Sequence, residues 1–481
     1  MGDVDVVVIG GGISGLTAAR ALCRRGFRVR LLERAADCGG MIKTDRVGGF
    51  VIDTGPDTLL AHKPAALALV HELGLTESLV APLPHRTTYV VRRKVLRTLP
   101  ETSAMGLPTS WQTVVRANAF SWHGKLRMAA EPLLPPRPPA DGDESISSFV
   151  RRRFGAEAVT YVAEPLLAGL HRGDAARLSL RALFPLLAEA ERRHGSVARA
   201  WRRMPAGTSG SGSMSLRGGL SALPAVMRAG LPPGVVGTGV DVIAIERSPE
   251  GFCVHARDHA GVTARAVVLA TPAYVTSTLT AGLDPLLAAL CGGVRYLAAV
   301  NVAVGYSCDA VHDPLEGWGF VVPADERRTV RSVSWVSSKW PSRAPEGSVL
   351  IRASLGESSG ARLEEATDDE LIIRAHEDLR ELMRLRETPT FARVYRLPFA
   401  MPQLEVGHLR RMEQIERRLA TIPGLFLTAS GFRGVGLPDC IKDATAVAGR
   451  VAAHIEQDSS VSASSAQRPG CQPAPGVPGN T

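Results

Sequence analysis

Lysine is nearly missing from this chain. It occurs only at positions 43, 63, 94, 125, 339 and 442, so fifty of the 56 basic residues are arginine, and these are spread along the whole length. The formal net charge of +9 is therefore a mild excess without the stripe that nucleic-acid binding needs, and no nucleic acid is expected as a partner. Cysteine is sparse and odd in number, at 23, 38, 253, 291, 308, 440 and 471, with no C-x-x-C pair and no His/Cys cluster at zinc spacing. A disulfide-stapled module and a structural metal are excluded, and a reducing compartment is implied. Long hydrophobic runs are also absent. No apolar stretch reaches the roughly 18 residues that span a bilayer, and the first run, Val4 to Ile9, lacks the basic flank and cleavage site of a secretory signal. The expectation is a cytoplasmic protein that at most touches a membrane surface.

What is present belongs to an ordinary globular chain. With 481 residues, 45% hydrophobic and 21% charged, two to four domains with ample core are expected. Asp3 to Ile9 is β-branched with little alternation, as a strand buried on both faces reads, and it runs straight into glycines. From Ser14 to Arg25, Leu16, Ala18, Ala19 and Leu22 recur at helical spacing until Gly26, and Phe27 to Leu32 is a second strand ending in Glu33. This is a β-α-β unit.

Gly10-Gly11-Gly12-Ile13-Ser14-Gly15 places Gly10-x-Gly12-x-x-Gly15 between that strand and helix. Gly10 permits the tight turn, Gly12 lets backbone approach a pyrophosphate, and Gly15 lets the helix pack against the strand. The helix start then offers free N–H groups to phosphate, and Glu33, 18 residues beyond Gly15, is placed for a ribose diol. Gly39-Gly40 and Asp53-Thr54-Gly55-Pro56 extend the fingerprint, as a larger and permanently buried dinucleotide would need. Gly234-x-x-Gly237-x-Gly239 lacks the strand–turn–helix context and is not a second nucleotide site. Near the C-terminus, residues 431–441 form a glycine-rich turn opening a helix, whose N–H groups could meet a flavin or ribityl chain. Cys440 there reads as a small packed residue. No catalytic base emerges: His171, His194, His255 and His408 stand in unrelated contexts.

Elsewhere, residues 110–200 read as mostly helical around a Pro-rich break at 131–143, 204–215 as a mobile Gly/Ser loop, and 234–270 as a β-meander whose last strand returns to the first sheet. Further β-rich segments fill 294–355, an acidic-then-basic helix covers 367–388, and the Ser/Pro/Gly-rich tail from 457 is expected to be disordered. No internal repeat is seen.

The segments GGGISGL, GPDTLLAHK, GKLRMAAEPLLP, FVRRRFGAEA, EPLLAG, LSLRALFP, SLRGGLSALP, KWPSRAPEG, MPQLEVGH and GVGLPDCI, in this order over residues 4–456, resemble the FAD-dependent protoporphyrinogen and coproporphyrinogen III oxidase family of the amine-oxidase-like flavoproteins. GPDTLLAHK and KWPSRAPEG are similar to the coproporphyrinogen-using branch, and Arg86 before Thr87-Thr88-Tyr89 to the protoporphyrinogen-using one. The resemblance implies an α/β fold: a Rossmann-type FAD-binding domain from 1–85, 216–275 and 420–456, a β-rich substrate domain from 86–109 and 276–419, and a helical, membrane-associating part at 110–203. It implies FAD contacts at Gly10, Gly11, Gly12, Ile13, Ser14, Gly15, Glu33, Arg34, Gly40, Met41, Gly55, Pro56, Asp57, Thr58, the backbone of Val240, and Val435, Gly436 and Leu437. Arg86 is the implied partner of a substrate propionate, and Gly169 lies where a main-chain carbonyl accepts a pyrrole N–H. The implied reaction removes six electrons from a porphyrinogen in three two-electron steps, with O2 as acceptor and peroxide as by-product. Monomer and homodimer both stay open, as do an amine or carotenoid oxidase of the same superfamily and a catalytically silent tetrapyrrole carrier. Three positions depart from the family pattern: Met41, Leu397 in place of a tryptophan, and Asp57 where some relatives carry arginine.

Overall fold

The computed structural model describes residues 4–83, 87–99, 111–116, 118–136, 142–170, 172–203, 212–312, 315–356 and 363–466. Strand Val4–Ile9 is central to a seven-stranded sheet, with Val29–Glu33 parallel on one side and His259–Leu269 parallel on the other. Val236–Thr238 extends one edge, Val242–Ser248 and Gly251–Ala256 run antiparallel into His259–Leu269, and Leu425–Leu427 also pairs with His259–Leu269. The meander therefore returns to the first sheet. Gly237 lies in a strand and Gly239 (φ +71) in the turn after it, where the chain leaves the parallel edge.

Both faces of this sheet are apolar, so both need cover. On one face Leu16, Ala19 and Leu22 of helix Ile13–Cys23 pack with Ala444, Val447, Ala448 and Val451 of the terminal helix Leu437–Ala466. On the other, Leu279, Leu287 and Cys291 of helices Ala273–Thr280 and Pro285–Gly292 join Met412, Ile415 and Leu419 of helix His408–Ala420. These three helices pack on the first sheet, although most of their residues fall in the expected 276–419 segment, because Val7, Ile9, Val267 and Leu269 require an apolar lid.

The second sheet has the order Phe391–Pro402, Tyr296–Ser307, Ser348–Leu355, Val330–Trp335, Gly319–Val321, Thr88–Arg92 and Val95–Thr98. One face carries Val300, Val302, Val304, Ile351, Ala353, Val333 and Trp335, and buries them against Leu371, Ala375, Leu379 and Leu382 of helix Asp368–Met383. That helix starts with a capping box between Thr367 and Glu370, as its acidic first turn favours.

Residues 111–203 supply helices around their own core of Phe149, Val150, Phe154, Val159, Val162 and Leu167, which reaches Val90 and Val321 of the second sheet. Helix Ala156–Ala158 passes into a π-helical stretch, Val159–Ala163, before helix Glu164–Leu170. Glu131 and Arg153, both fully buried, form the polar centre of this part. Arg153 Nε donates to Glu131 Oε1 at 2.9 Å and its Nη2 to the Gly195 carbonyl at 2.8 Å. Glu131 also accepts from Ser196 Oγ and from the N–H groups of Val197 and Ala198, so it holds the start of helix Val197–Arg203.

Two expected loops are shorter than the sequence reading gives. Ser213–Leu216, which begins inside the expected mobile loop 204–215, is a strand pairing with Leu59–Leu60 and Leu79–Val80, and Ser215 Oγ donates to Asp57 O and also accepts from buried Arg343; residues 204–211 lie outside the described residues. The terminal helix continues to Ala466, ten residues into the expected disordered tail, since no Gly or Pro occurs between 457 and 468 and each added residue closes one more helical bond. Residues 467–481 lie outside the described residues. Among the described residues no helix is long and apolar enough to cross a membrane.

Candidate active site

The glycine motif forms the turn its spacing predicts. Gly10 has φ +105, and a Cβ there would come within 2.7 Å of the Ala270 carbonyl oxygen. A Cβ on Gly15 would lie 1.8 Å from Gly10 O, so the first helix can approach its strand this closely only with glycine at 15. Gly12 differs: a Cβ would meet nothing within 4 Å. The helix starting at Ile13 has no side-chain cap at Gly12 and no acidic residue in its first turn, which leaves its N–H groups and positive end to an anion in that open space.

The other expected cofactor residues gather around this turn. Glu33 Oε2 accepts from the Gly11 N–H at 2.6 Å and Oε1 from the Ala35 N–H at 2.8 Å, so the carboxylate is held over the glycines. Gly39 and Gly40 both have positive φ; Gly39 N–H bonds Gly11 O, and a Cβ on Gly40 would sit 3.3 Å from Gly12 Cα. Val240 N–H is already bonded to Glu33 O, so any cofactor contact from its backbone falls to the carbonyl. Met41 presents its carbonyl to Gly55, where a Cβ would be 2.2 Å away, and Arg34 is exposed. The C-terminal turn converges on the same place: Gly431 N–H bonds Gly434 O, Val435 and Gly436 follow, and the helix opens at Leu437. Cys440 is buried against the Ser14 hydroxyl, and burial pushes its thiol up to about 12, an inert packed residue at neutral pH. Lys63 Nζ ties this helix start to the 59–63 segment through Asp439, at 2.6 Å.

The loop 54–58 connects this cradle to the second sheet. Asp57 pairs with Arg352 at 3.0 Å and Lys339 at 3.8 Å, and accepts from the Thr58 hydroxyl at 2.7 Å. Burial pushes the Asp57 carboxyl up, but the Lys339 and Arg352 charges outweigh it and hold it below the ordinary carboxylate range. It is a fixed negative charge, not a base poised near neutrality. Arg352 also donates to Asp53 O and Gly55 O, and Asn301 Nδ2 to Thr54 O. Buried Arg343 pairs with Asp53 at 3.0 Å. Beside these groups lies a cavity of about 10 Å³, room for a single water, between Asp53, Asp57 and Arg352 and the apolar Ile52, Trp340 and Leu350.

Strand register explains why polar groups collect here. Pairing puts Asn301, Ser354, Arg352, Ser332, Ser334, Gly319 and Thr88 on the sheet face opposite the apolar one. One end of this polar face is closed by Phe50, Ile52 and Trp340, which pack on Ala303 and Leu350; the other end is closed where Val90 and Val321 meet the helical core. The middle remains a polar strip bordered by loop 54–58. Gly169 joins it from helix Glu164–Leu170, its Cβ position 3.0 Å from Ser332 Cβ. Arg172 lies on the same strip, donating to Asn301 Oδ1 at 2.6 Å and Ser354 Oγ at 3.1 Å.

Arg86 lies outside the described residues, as does His171. Of the remaining histidines, His408 is buried with its ring against the Phe432 carbonyl, His255 pairs with Glu246 and His194 meets Arg203, all away from the strip. Leu397 is half-buried on the outer strand, opposite Ala299. Lys339, Arg352, Asn301 and Arg172 were not singled out in the sequence. Asn301 and Arg352 do leave a trace there, as polar residues interrupting the apolar runs YLAAVNVAVGY and SVLIRASL at positions where alternation points them to one face.

The model of the flavin-containing amine oxidoreductase family matches residues 13–452. The chain belongs to that family. It is an oxidoreductase of a flavin-containing family, and the open space at Gly12 with the uncapped helix start fits the phosphate of such a cofactor. Among curated members it is 32% identical over 459 residues to the coproporphyrinogen III oxidase of Bacillus subtilis, covering 92% of this chain and 96% of that one. It is 33% identical over 480 residues to the coproporphyrinogen III oxidase of Propionibacterium freudenreichii, covering 91% and 89%. A crystal structure from Exiguobacterium sp. 255-15, named for protoporphyrinogen oxidase, superposes with a TM-score of 0.81 at 27% identity, over 95% of this chain and all of that one. The α/β architecture expected for this family of flavoproteins is thus the one observed.

Proposed function

We propose that this flavoprotein oxidises a porphyrinogen, coproporphyrinogen III or protoporphyrinogen IX, to the corresponding porphyrin in haem synthesis, with O2 as acceptor and H2O2 as product. The observation that carries this reading is the likeness, over nearly the whole chain, to curated proteins named for that reaction. The polar strip supports it: Gly319, Ser332, Ser334 and Thr88 are small, as a floor beneath a bulky macrocycle requires, and the surplus of cations around Asp57 suits its carboxylates. FAD would be held along Gly10–Gly15, Glu33, Gly40 and Val435–Leu437, and would supply hydride acceptance and return of electrons to O2.

The chain's own residues then bind and orient. The Gly169 carbonyl, at the end of its helix over the strip, is proposed as the acceptor of a pyrrole N–H, and Arg86 as a partner of one propionate. Asp57 fixes Lys339 and Arg352 beside the 54–58 loop, so charge at the site is set before substrate arrives. No side chain is assigned as a base.

The test is anaerobic. Protoporphyrinogen IX or coproporphyrinogen III, added separately to the oxidised holoenzyme, should bleach the flavin absorbance near 450 nm, and admitting air should restore it as porphyrin fluorescence grows. Bleaching by one substrate alone names the preference; a fully loaded flavin bleached by neither rejects the reading and turns the search to amines and polyenes.

We also propose that the helical part rests on a lipid surface. Trp122, Leu126 and Leu133 are 69%, 68% and 82% exposed, and Lys125 sits over the Trp122 ring, the mixture of apolar and cationic groups that an interface favours. Vesicles rich in anionic lipid should co-sediment the protein, and Trp122→Ser with Leu126→Ser should lower the bound fraction severalfold without changing the flavin spectrum. Equal sedimentation of both proteins would reject this contact.

A further inference from the structure

The strip holds a cation that the rest of the site does not explain. Arg172 follows helix Glu164–Leu170 with φ +52, a left-handed conformation that a long side chain adopts only when its surroundings enforce it. The next residue shows the enforcement: a Cβ on Gly173 would lie 2.3 Å from Gln403 Oε1 and 2.7 Å from Leu178 Cδ1, so the chain is wedged there. The result lays the guanidinium across two strands, with Nη1 donating to Leu355 O at 3.1 Å and Nη2 reaching Asn301 Oδ1, Ser354 Oγ and Val300 O.

All four of these acceptors are neutral oxygens. Among the described residues no carboxylate pairs with Arg172, and Nε has no acceptor. Its charged neighbour is Arg352, which is repulsive, and the carboxylate nearest to Arg352 is Asp57, already shared with Lys339. Four cations, Arg172, Arg343, Arg352 and Lys339, therefore stand against two anions, Asp53 and Asp57. An arginine stays charged in such a place, and a largely desolvated charge without a counter-ion is costly unless something brings the counter-charge.

We infer that Arg172 is a specificity-determining residue that receives a carboxylate of the substrate on the polar strip. This rests on the porphyrinogen reading above, because the carboxylate is the one group a porphyrinogen offers that matches a guanidinium with free N–H donors. It adds a second anion-binding point, at the end of helix Glu164–Leu170, to the one proposed at Arg86. The neutral partners Asn301 and Ser354 hold the guanidinium in position without quenching its charge, as a site built to receive an anion requires.

The experiment compares the holoenzyme with Arg172→Gln and Arg172→Lys, all shown to melt alike and to carry equal flavin. Binding of coproporphyrin III and of its tetramethyl ester is followed by porphyrin fluorescence, and the flavin midpoint potential is measured in parallel. R172Q should weaken binding of the acid roughly 10- to 100-fold, the loss of hydrogen bonds to a charged group. R172K should fall between. Ester binding and the potential should not move, and with the matching porphyrinogen KM should rise while kcat holds. Equal weakening of acid and ester, unchanged binding, or a shifted potential with binding intact would each overturn the assignment while leaving the oxidase reading in place. If the unmodified protein binds neither porphyrin and no porphyrinogen bleaches its flavin, both fall together.

Discussion

Gly15→Ala should yield a protein that purifies largely without flavin and melts at a lower temperature, whereas Gly12→Ala should lose flavin and keep its melting temperature. The difference follows from what a methyl group meets. At Gly15 it lands 1.8 Å from the Gly10 carbonyl oxygen and 3.3 Å from Ala270 Cβ, so the helix must lift off the sheet, opening the Leu16 and Leu22 packing and misaiming the N–H groups of its first turn. At Gly12 it meets no protein atom within 4 Å, so the fold has no reason to respond; the methyl enters the space in front of the helix start. Losing about two charge-assisted bonds to phosphate is worth about 3 kcal/mol, or roughly a 100-fold weaker FAD affinity in either variant. The ratio of absorbance at 450 to 280 nm reads the occupancy and calorimetry reads the stability. Normal melting of Gly15→Ala with full flavin would show that the close approach of helix and strand does not matter.

The second large effect is expected far from the cofactor. Arg153→Ala leaves Glu131 fully buried, charged and without its cation, and such half-removed pairs cost about 3–5 kcal/mol. Glu131 would keep its bonds from Ser196, Val197 and Ala198, while Arg153's bonds to the Gly195, Leu134 and Pro135 carbonyls would vanish, so the start of helix Val197–Arg203 should loosen first. Calorimetry should show a separate, earlier transition for the helical part rather than a uniform shift. The double replacement Arg153→Met with Glu131→Leu removes both charges and should recover much of the loss. If the double variant is as unstable as the single one, the backbone contacts of the pair, not its charge balance, hold this part together.

How legible these features are in sequence depends on how far apart their partners lie. The first β-α-β unit is readable because strand, glycine turn, helix and Glu33 are consecutive, and the requirement for glycine at 10 and 15 is set by atoms within a few positions or in the adjoining strand. Asn301 and Arg352 are half-legible, since each breaks an apolar run but only register tells that they share a face. Arg172 leaves no periodic signal. Its importance arises from Ser354 and Asn301, more than a hundred residues away, and from the lack of a carboxylate that only the assembled strip reveals. The same holds for Glu131, which stands in the sequence at the head of a proline-rich break with nothing to mark it, yet is fully buried. The resemblance places 276–292 and 408–419 in the substrate domain. They lie on the nucleotide sheet because the apolar area to be covered, not chain order, decides where an amphipathic helix docks.

The cradle proposed for the cofactor is closed by segments far apart along the chain. Residues 10–15 open the first helix, while strand Leu425–Leu427 and the helix packed on Leu16 and Leu22 come more than four hundred residues later. Until those later segments have been made, the first strand and helix have an uncovered apolar flank. The nascent chain must keep this hydrophobic unit out of trouble through a long stretch of synthesis, and a cofactor held between the two segments is captured only once both exist.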